Sequence, residues 1–438
     1  MTNQYNNGKE PRAKSQEPRA KSQEPRAKSQ EPRVEVYVAT QRPIDFAVPS
    51  YCVKCQVDAA RSGQWEGYIH DNDNPDNLSL LNPRYCELTA LHTMWKTCTA
   101  DIQGLYHYRR YIGNKPAIDE LDEHDRNRFE AFIVTAEIVG KSITEQAIIR
   151  ELEHSDMIVT SLFPPAHMRY FTVGETMKFF YLQKDMAKLW RIMRANYPDY
   201  VPSMVQVLDA DKYTSCNLFI ARREVVGEYC TWLFDVLGRL DAETSYDGYD
   251  SKYIRTVAYL AEVLLNVYIH KHNLRCSYFH KNLVTDMTRH NDLASRDIKR
   301  IVKNFLKGIP MVSRTVFAFR NMIRERLFRR MRELEKFLSS CRDPEEIRSY
   351  MRSFGLRREG SFLYCKLRKE KHIDLLIFVP DDEASDFLPE LTGIIAKREA
   401  EGLRRKKTFL YRIILSSRTP EPLREALRES GVRIMEHQ

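Results

Sequence analysis

The chain has 438 residues, of which 43% are hydrophobic, and it carries a formal net charge of +9 at neutral pH. This length allows a substantial core and two or three domains, and the apolar content is that of a globular protein. The sequence contains neither a run of about twenty apolar residues nor a basic-then-apolar leader, so we expect a cytoplasmic protein without a spanning helix.

A seven-residue repeat dominates the first segment, residues 1–33. The motif EPRAKSQ occurs three times from Glu10 and restarts at Glu31. A proline in every repeat excludes a continuous helix or coiled coil, and few apolar side chains are available for burial. We therefore predict a disordered, charge-balanced tail.

Residues 34–285 mix strand-like and helix-like patterns. Apolar and polar residues alternate in VEVYVATQR and YCVKCQVDA, as expected for strands. The mixture of strands and helices favours the α/β class. Further predicted strands are 131–135 and 216–221, and the predicted helices are 145–154, 176–196, 223–239 and 252–271.

Nine cysteines are scattered along the chain. An odd number without a leader peptide favours reduced thiols over a disulfide framework. Cys52 and Cys55 form a C-x-x-C pair, but no second Cys or His pair follows at zinc-finger spacing. We interpret them as neighbouring residues of a strand.

Residues 82–111 combine an amphipathic helix, a buried strand and a cluster of cations. Glu87, Leu91 and Met94 recur at helical spacing after Pro83, and 101–106 reads as a strand. Ligands of open α/β sheets bind beyond the carboxyl ends of strands, and guanidinium groups pair with phosphate oxygens. The pattern therefore predicts a phosphate or diphosphate site after this strand, with a solvated strand end as the alternative. The strand end carries His107, Tyr108, Arg109, Arg110 and Tyr111.

These motifs resemble those of the bacterial domain-of-unknown-function family 4422 (DUF4422). The resemblance covers about residues 34–285 and rests on HDNDNPDNLS, NPRYCELTALHTMWK, GLYHYRRYI, NLFIARREVVGEYCTWLFDVL and EVLLNVYIHKHNL. The family pattern has an arginine where this chain has Val263, a departure that weakens any argument about that helix.

The resemblance implies a GT-A-like nucleotide-sugar-binding domain. It implies a hexosyltransferase, inverting rather than retaining, that acts in capsular polysaccharide, exopolysaccharide or lipopolysaccharide biosynthesis. The expected donor is a UDP-sugar, with UDP-galactofuranose one candidate, and the expected acceptor is a growing surface polysaccharide or a lipid-linked glycan. The alternative is a non-catalytic, membrane-associated adaptor of the polysaccharide assembly machinery.

The resemblance also indicates donor-binding residues. Those in the asparagine-rich turn either bind the ribose or sugar, or they cap their own backbone. Glu87 is either a donor ligand or the ion-pair partner of an adjacent arginine, and His107 either orients a phosphate oxygen or satisfies the strand end. The full set of candidates is Asp71, Asn72, Asp76, Asn77, Glu87, His107, Arg109 and Arg110.

Many GT-A enzymes hold a divalent metal with Asp-x-Asp at the equivalent strand end, where this chain has His107, Tyr108 and Arg109. We therefore expect that no metal cofactor is required, because cations neutralise the leaving diphosphate directly. The alternative is a Mg²⁺ or Mn²⁺ ion at an Asp-x-Asp string, either Asp71-Asn72-Asp73 or the pair Asp209 and Asp211.

An inverting transfer needs a carboxylate that accepts the proton of the acceptor hydroxyl. Asp247 and Asp250 lie in the polar, aromatic segment TSYDGYDSKY before a long predicted helix and suit this role. Glu262 is the rival, because it matches an acidic position in the family pattern.

Residues 286–342 read as two basic amphipathic helices interrupted at Pro310. Between residues 285 and 340, fourteen Lys and Arg stand against six Asp and Glu. Helices of this kind are attracted to anionic lipid, so we predict peripheral binding at the inner face of the plasma membrane. The alternative is a helical hairpin that packs on the catalytic domain.

Residues 343–438 are predicted to form a small α/β domain of unknown role, with strands at 373–379 and 408–415 and a helix at 420–431. A nucleic-acid partner is not expected, because the positive charge accompanies apolar helix faces and not a known binding motif.

Overall fold

A computed structural model describes residues 31–116, 130–162, 172–178, 180–285, 357–359, 362–366, 373–378, 387–405, 408–416 and 420–437. Among these residues, nine strands form one large sheet. The strands are β1 (Val34–Thr40), β2 (Cys52–Gln56), β3 (Ile69–His70), β4 (Ile102–His107), β5 (Arg110–Pro116), β6 (Glu130–Val134), β7 (Met157–Thr160), β8 (Phe219–Arg222) and β9 (Cys276–Thr285).

The sheet has a parallel part and a closed part. Strands β3, β2, β1 and β4 run parallel in that order. The second part closes on itself, because β4 pairs with both β8 and β5, and the pairs β8–β7, β7–β9 and β9–β5 complete the circuit. Strand β6 lies parallel to β9. The α/β class is therefore confirmed, and the more specific GT-A assignment stays a prediction.

At Gly104, the backbones of β4 and β8 lie very close together, and this contact joins the two parts of the sheet. A Cβ atom at this position would lie 2.6 Å from the carbonyl oxygen of Phe219 and 2.9 Å from Cγ1 of Ile220. Both residues belong to β8, so only glycine allows β4 to pair with β8 at this distance.

Helices cover both faces of the sheet, as expected from β1, which has apolar residues on both of its faces. Alternate residues of β1 enter two different apolar clusters, Tyr37 and Ala39 in one and Val36 and Val38 in the other. A strand buried on both faces must be apolar almost throughout. The helices of this part of the chain are α1 (Ala59–Ser62), α2 (Asn82–Tyr85), α3 (Leu88–Thr97), α4 (Ile138–Lys141), α5 (Glu145–His154), α6 (Val173–Met177), α7 (Gln183–Asn196), α8 (Val201–Asp209), α9 (Arg223–Ala242) and α10 (Thr256–Lys271).

Two predicted helices are each divided in the structure. The helix after Pro83 is interrupted at Cys86, whose φ of 49° and ψ of −123° separate α2 from α3. The helix predicted at 176–196 is also two helices, because Leu182 is extended between α6 and α7. Tyr181 and Leu182 are both buried, and their burial outweighs local helical propensity.

A second sheet forms near the C-terminus. Strands β10 (Arg357–Glu359), β11 (Phe362–Lys366), β12 (Ile373–Phe378), β13 (Thr408–Ser416) and β14 (Val432–His437) lie in sequence order, and β12, β13 and β14 are parallel. Helices α11 (Phe387–Arg405) and α12 (Glu421–Glu429) provide the crossovers. The strands and the helix predicted in this region are present with nearly the predicted bounds.

Two predicted segments lie outside the described residues, namely the repeat tail up to residue 30 and the basic helices of 286–342. Within the described part of the chain, no helix is both long enough and apolar enough to cross a bilayer.

Candidate functional site

A cavity of about 290 Å³ lies at the carboxyl ends of β1 and β4. Ala39 and Gln41 line it from the end of β1, and His107 lines it from the end of β4. The first turns of α10 form a further wall through Ala258, Tyr259 and Glu262. The cavity thus occupies the edge of the sheet at which ligands of open α/β folds bind.

Arginines form one side of this cavity. Tyr108 and Arg109 form a two-residue turn between β4 and β5, so that Arg109 and Arg110 both line the cavity together with Arg255. The Tyr108 ring contacts two guanidinium groups, with ring centroid distances of 5.0 Å to Arg109 and 4.7 Å to Arg42. The cation–π contact of Arg109 holds its guanidinium against the Tyr108 ring, which also lines the cavity.

Helix α10 adds a further positive element. The helix is 16 residues long, and Arg255 is its N-cap residue. Residues 255, 258, 259 and 262 recur at helical spacing, so α10 lines the cavity with the side of its first two turns, where Arg255 joins Arg109 and Arg110. Together they make a site suited to an anion with several oxygens, such as a diphosphate.

His107 is neutral at physiological pH. Burial lowers the pKa of the imidazole well below its usual value, and Arg110, Arg109, Arg255 and Arg42 lower it further. The backbone N–H of Arg109 donates to Nδ1 of His107 at 3.4 Å. Nδ1 is then the acceptor nitrogen, which leaves the proton on Nε2 as a donor for a ligand oxygen.

Glu262 provides a carboxylate in the same cavity as the arginines. Its Oε2 accepts the backbone N–H of Cys216 at 2.8 Å. Burial raises the pKa of Glu262 to about 7, the charge of Glu87 adds to this increase, and Arg110 and Lys281 oppose it. A carboxylate with a pKa near 7 is suited to accept and release a proton at physiological pH.

Glu87 is the second carboxylate of the cavity. The interruption at Cys86 ends α2 and places Glu87 at the N-cap of α3, where it lines the cavity. Its Oε1 accepts a hydrogen bond from Nδ2 of Asn217 at 2.7 Å. Burial raises the pKa of Glu87, and the Asn217 bond and the charges of Arg110 and Arg255 counteract this effect.

The residues of 35–273 match the family model described as domain of unknown function, DUF4422. The match spans more than half of the chain. This chain belongs to the DUF4422 family. The predicted resemblance is thereby confirmed.

The DUF4422 chain is also similar to the solved apo structure of WbbM, a bifunctional glycosyltransferase. The two chains are 25% identical, and the TM-score is 0.46. The similarity covers 58% of this chain and 45% of the WbbM chain. The DUF4422 chain therefore spans less than half the length of that protein. No curated protein matches it.

The candidate residues in the asparagine-rich turn of this DUF4422 member all have partners within the protein. Asp71 is fully buried, and its carboxylate accepts the backbone N–H groups of Asp58 and Ala59 at 2.8 and 3.0 Å. Asn77 accepts the N–H of Ser79 and donates to the carbonyl of Asn74. Asn77 thus bonds the backbone of the turn itself, whereas Asp71 bonds the backbone at the start of α1.

The other two turn candidates also have partners near the turn. Asn72 accepts a hydrogen bond from Gln64, and the exposed Asp76 pairs with Lys96 at 2.8 Å. The turn residues do not line the described cavity.

Asp247 and Asp250 do not line the cavity either. Asp247 bonds to Ser245 on an exposed loop, and Asp250 accepts the backbone N–H groups of Lys252 and Tyr253, both at 2.9 Å. Asp250 therefore bonds the backbone at the start of the 3₁₀ turn Tyr253–Arg255 that precedes α10. Of the three candidates for the base, only Glu262 lies beside the arginines of this DUF4422 site.

The candidate metal residues of the DUF4422 chain lie elsewhere. Asp209 ends α8, and both Asp209 and Asp211 are exposed. Cys52 and Cys55 contact opposite faces of the sheet, since one packs on each apolar cluster. In the described part of the chain, no group of three His, Cys, Asp or Glu side chains is arranged to hold a metal ion.

The sequence analysis did not predict Arg255, which lines the DUF4422 site, or Lys281 and Asn217, which act on its carboxylates. Arg255 precedes α10 and could have been found as a cation at a helix start. Lys281 is only 6% exposed, and its Nζ donates to Oγ of Ser215 at 3.1 Å beside Cys216. Asn217 is the first residue of NLFIARREVVGEYCTWLFDVL, a segment that carries the family resemblance, so this motif could have identified it. Lys281 lies in no such motif and reaches the site only through the tertiary fold.

Proposed function

We propose that this chain is a glycosyltransferase that transfers a sugar from a nucleotide-sugar donor. One observation carries the proposal, namely that a single cavity combines a cationic wall with a carboxylate whose pKa lies near 7. The cations bind the diphosphate of the donor, and the carboxylate serves the acceptor. This division of roles agrees with the expectation from the family resemblance.

Two bonds change during the proposed transfer. The oxygen of the acceptor hydroxyl forms a bond to the anomeric carbon of the sugar, and the bond from that carbon to the diphosphate oxygen breaks. The hydroxyl proton passes to Glu262, and the electron pair of the broken bond leaves with the nucleoside diphosphate. Arg109, Arg110 and Arg255 stabilise the negative charge that develops on the leaving group.

The ionised form of Glu262 is the active form in this scheme. Burial, with a smaller contribution from the charge of Glu87, keeps the pKa of Glu262 high, so that the carboxylate is a stronger base than an exposed glutamate. His107 donates from Nε2 to an oxygen of the diphosphate or of the sugar. An attack from the face opposite the diphosphate inverts the anomeric centre, which is the stereochemistry we propose.

The finer identity of the substrates is also part of the proposal. We propose a UDP-sugar as the donor, with UDP-galactofuranose as one member of the panel to test, and a surface polysaccharide or lipid-linked glycan as the acceptor. We propose that transfer requires no metal, because guanidinium groups supply positive charge where the diphosphate would bind.

Donor binding tests this proposal. We would measure saturation-transfer NMR and calorimetric titrations with UDP-, GDP-, dTDP- and CMP-sugars, with and without EDTA. Arg110→Ala should weaken binding of the donor about 10- to 100-fold, the loss expected for charge-assisted hydrogen bonds. Arg239→Ala is the matched control, because Arg239 forms an exposed pair with Asp235 on α9.

Each outcome of the donor titrations supports a different function or a different kind of site. Binding that survives EDTA, and that is weakened by Arg110→Ala but not by Arg239→Ala, supports the metal-free cationic site. Binding that EDTA abolishes would overturn the metal-free proposal and direct attention to the Asp-x-Asp strings. A folded protein that binds none of the donors would favour the adaptor.

A further inference from the structure

Two consecutive residues, Cys216 and Asn217, connect the two carboxylates of the cavity. The backbone N–H of Cys216 donates to Oε2 of Glu262 at 2.8 Å, and Nδ2 of Asn217 donates to Oε1 of Glu87 at 2.7 Å. Glu87 and Glu262 come from different elements and are far apart in sequence. A single short segment thus contacts both of them.

The backbone of this segment is strained. Cys216 has a φ of 73° and Asn217 a φ of 51°, both in the left-handed region that non-glycine residues rarely occupy. Cys86, which precedes Glu87, also has a positive φ of 49°. Strain of this kind persists where surrounding contacts impose it, and it concentrates at functional sites.

Hydrogen bonds to the neighbouring residues Thr214 and Ser215 hold the strained backbone in place. Asn266 on α10 accepts the N–H of Thr214 at 2.9 Å and donates to its carbonyl oxygen at the same distance. On the other side, the buried Lys281 donates to Oγ of Ser215 at 3.1 Å. The segment is therefore fixed to the helix that carries Glu262.

The orientation of the Asn217 amide follows from its partners. Nδ2 donates to the Glu87 carboxylate and, at 3.4 Å, to the carbonyl oxygen of Ala258, and both of these atoms can only accept. The side chain is almost completely buried. Asn217 thus joins Glu87 directly to the first turn of α10, where the cavity is formed.

We propose that Asn217 is a positioning residue for the transfer: it holds the Glu87 carboxylate in place against the helix that carries the base. The proposal rests on the proposed function, since it assigns Asn217 a role in that reaction. Because Asn217 favours the ionised form of Glu87, its loss should also change how Glu87 titrates. The other titratable or charged groups that act on Glu87 or are affected by it are Cys86, Arg110, Tyr229, Arg255 and Glu262.

Two substitutions remove the side-chain amide of Asn217 but still allow the positive φ of its backbone. Asn217→Gly keeps a residue that readily adopts the positive φ, and Asn217→Asp keeps the shape, but both lack the Nδ2 donor. Each should lower kcat by about 10- to 100-fold, the range expected when a group in the site is displaced. Asn273→Gly is the matched control, because Asn273 has a φ of 49° beyond the C-terminus of α10 and should retain wild-type kcat.

Titration of the carboxyl group provides a readout that does not depend on transfer. Carbon-13 NMR of glutamate-labelled protein, with Glu87→Gln to identify the resonance, should show the Glu87 midpoint at higher pH in Asn217→Gly. Wild-type protein without transfer activity would overturn the proposed function, and the Glu87 titration would still test the contact made by Asn217. Wild-type kcat in both Asn217 variants, or an unchanged Glu87 midpoint in folded Asn217→Gly, would overturn the inference.

Discussion

At the scale of single residues, Glu262 determines the expected pH dependence of the reaction. Its pKa is about 7 in the folded protein, and only the ionised carboxylate can accept the acceptor proton. We therefore expect kcat/KM to rise with pH through about 7 and to level off above it. Glu262→Gln should abolish transfer, while donor binding persists. Initial rates from pH 5 to pH 9 would test this, and transfer by Glu262→Gln would contradict it.

The same shift predicts an effect on stability. The pKa of Glu262 is raised in the folded state relative to the ordinary value of 4.5, so its favourable contribution is complete below pH 4.5 and is lost as pH rises through 7. At pH 8, Glu262→Gln removes a buried charge and should increase the free energy of unfolding by about 1–3 kcal/mol. Urea denaturation at pH 8 and at pH 4.5 would show this gain at pH 8 alone; a gain of equal size at both pH values would exclude the electrostatic explanation.

Lys281 should tune the same carboxylate. Its charge lowers the pKa of Glu262, although it reaches the site from β9 and is almost completely buried. Lys281→Met keeps an apolar stem of similar length and removes the charge, so the midpoint of the pH–rate profile should move to higher pH. Lys271→Met, which removes the partner of Asp199 at the far end of α10, is the control. A midpoint that moves in neither variant, or equally in both, would contradict this role for Lys281.

At the scale of secondary-structure elements, the pairing of β4 with β8 depends on Gly104. Gly104→Ala would place a methyl group 2.6 Å from the carbonyl oxygen of Phe219, so the strands must separate and stability should fall by about 1–3 kcal/mol. Gly238→Ala on α9 is the contrasting control. No atom lies near a Cβ at Gly238, and alanine there should stabilise the helix by about 1 kcal/mol. Equal effects in denaturant titrations would contradict the close-approach argument.

The elements that the sequence predicted best are those with local signals. Helix α5 has the predicted bounds, and its start is explained by Thr144, whose side chain accepts the N–H of Ala147. The division at Cys86 could not be predicted, because nothing marks a cysteine for a positive φ. The turn at Tyr108 and Arg109 was also missed, since it lacks the Gly, Asn or Pro that identify most turns.

In the candidate site, too, local sequence signals identified some residues, while the position of others depends on the tertiary fold. The sequence predicted Glu87, His107, Arg109, Arg110 and Glu262, which the fold brings to one cavity. Asp247 and Asp250 had equally suitable chemistry, and only their tertiary position, outside the cavity, separates them from Glu262. Periodicity can place a residue on a helix or strand, but it cannot show which strand ends meet.

At the scale of the whole molecule, the fold gathers charge from segments that are distant in sequence. Arg110 comes from β5 and Arg255 from the start of α10, and they line the cavity at the edge supplied by the parallel strands β1 and β4. Lys281 on β9 acts on Glu262 of the same cavity through its charge. The circuit of pairings through β8, β7 and β9 brings β5 and β9 together. The closed part of the sheet thereby completes a cationic site that the parallel strands alone would lack.

A second concentration of charge, in residues 286–342, gives a prediction about where this molecule acts. The segment's cations accompany a predicted apolar face, and each cation near an anionic bilayer contributes about 1 kcal/mol. Replacing Lys299, Arg300, Lys303 and Lys307 by Gln should therefore weaken binding to phosphatidylglycerol vesicles by roughly three orders of magnitude, with the cavity and donor binding unaffected.

The control replaces four exposed arginines of the described domain, Arg61, Arg191, Arg223 and Arg239, by Gln, so that the net charge of the two variants is equal. Vesicle sedimentation at low and physiological salt would measure both. Equal binding by the two variants would show that net charge alone attracts the protein to lipid, and unchanged binding by the first would favour a segment that packs on the catalytic domain.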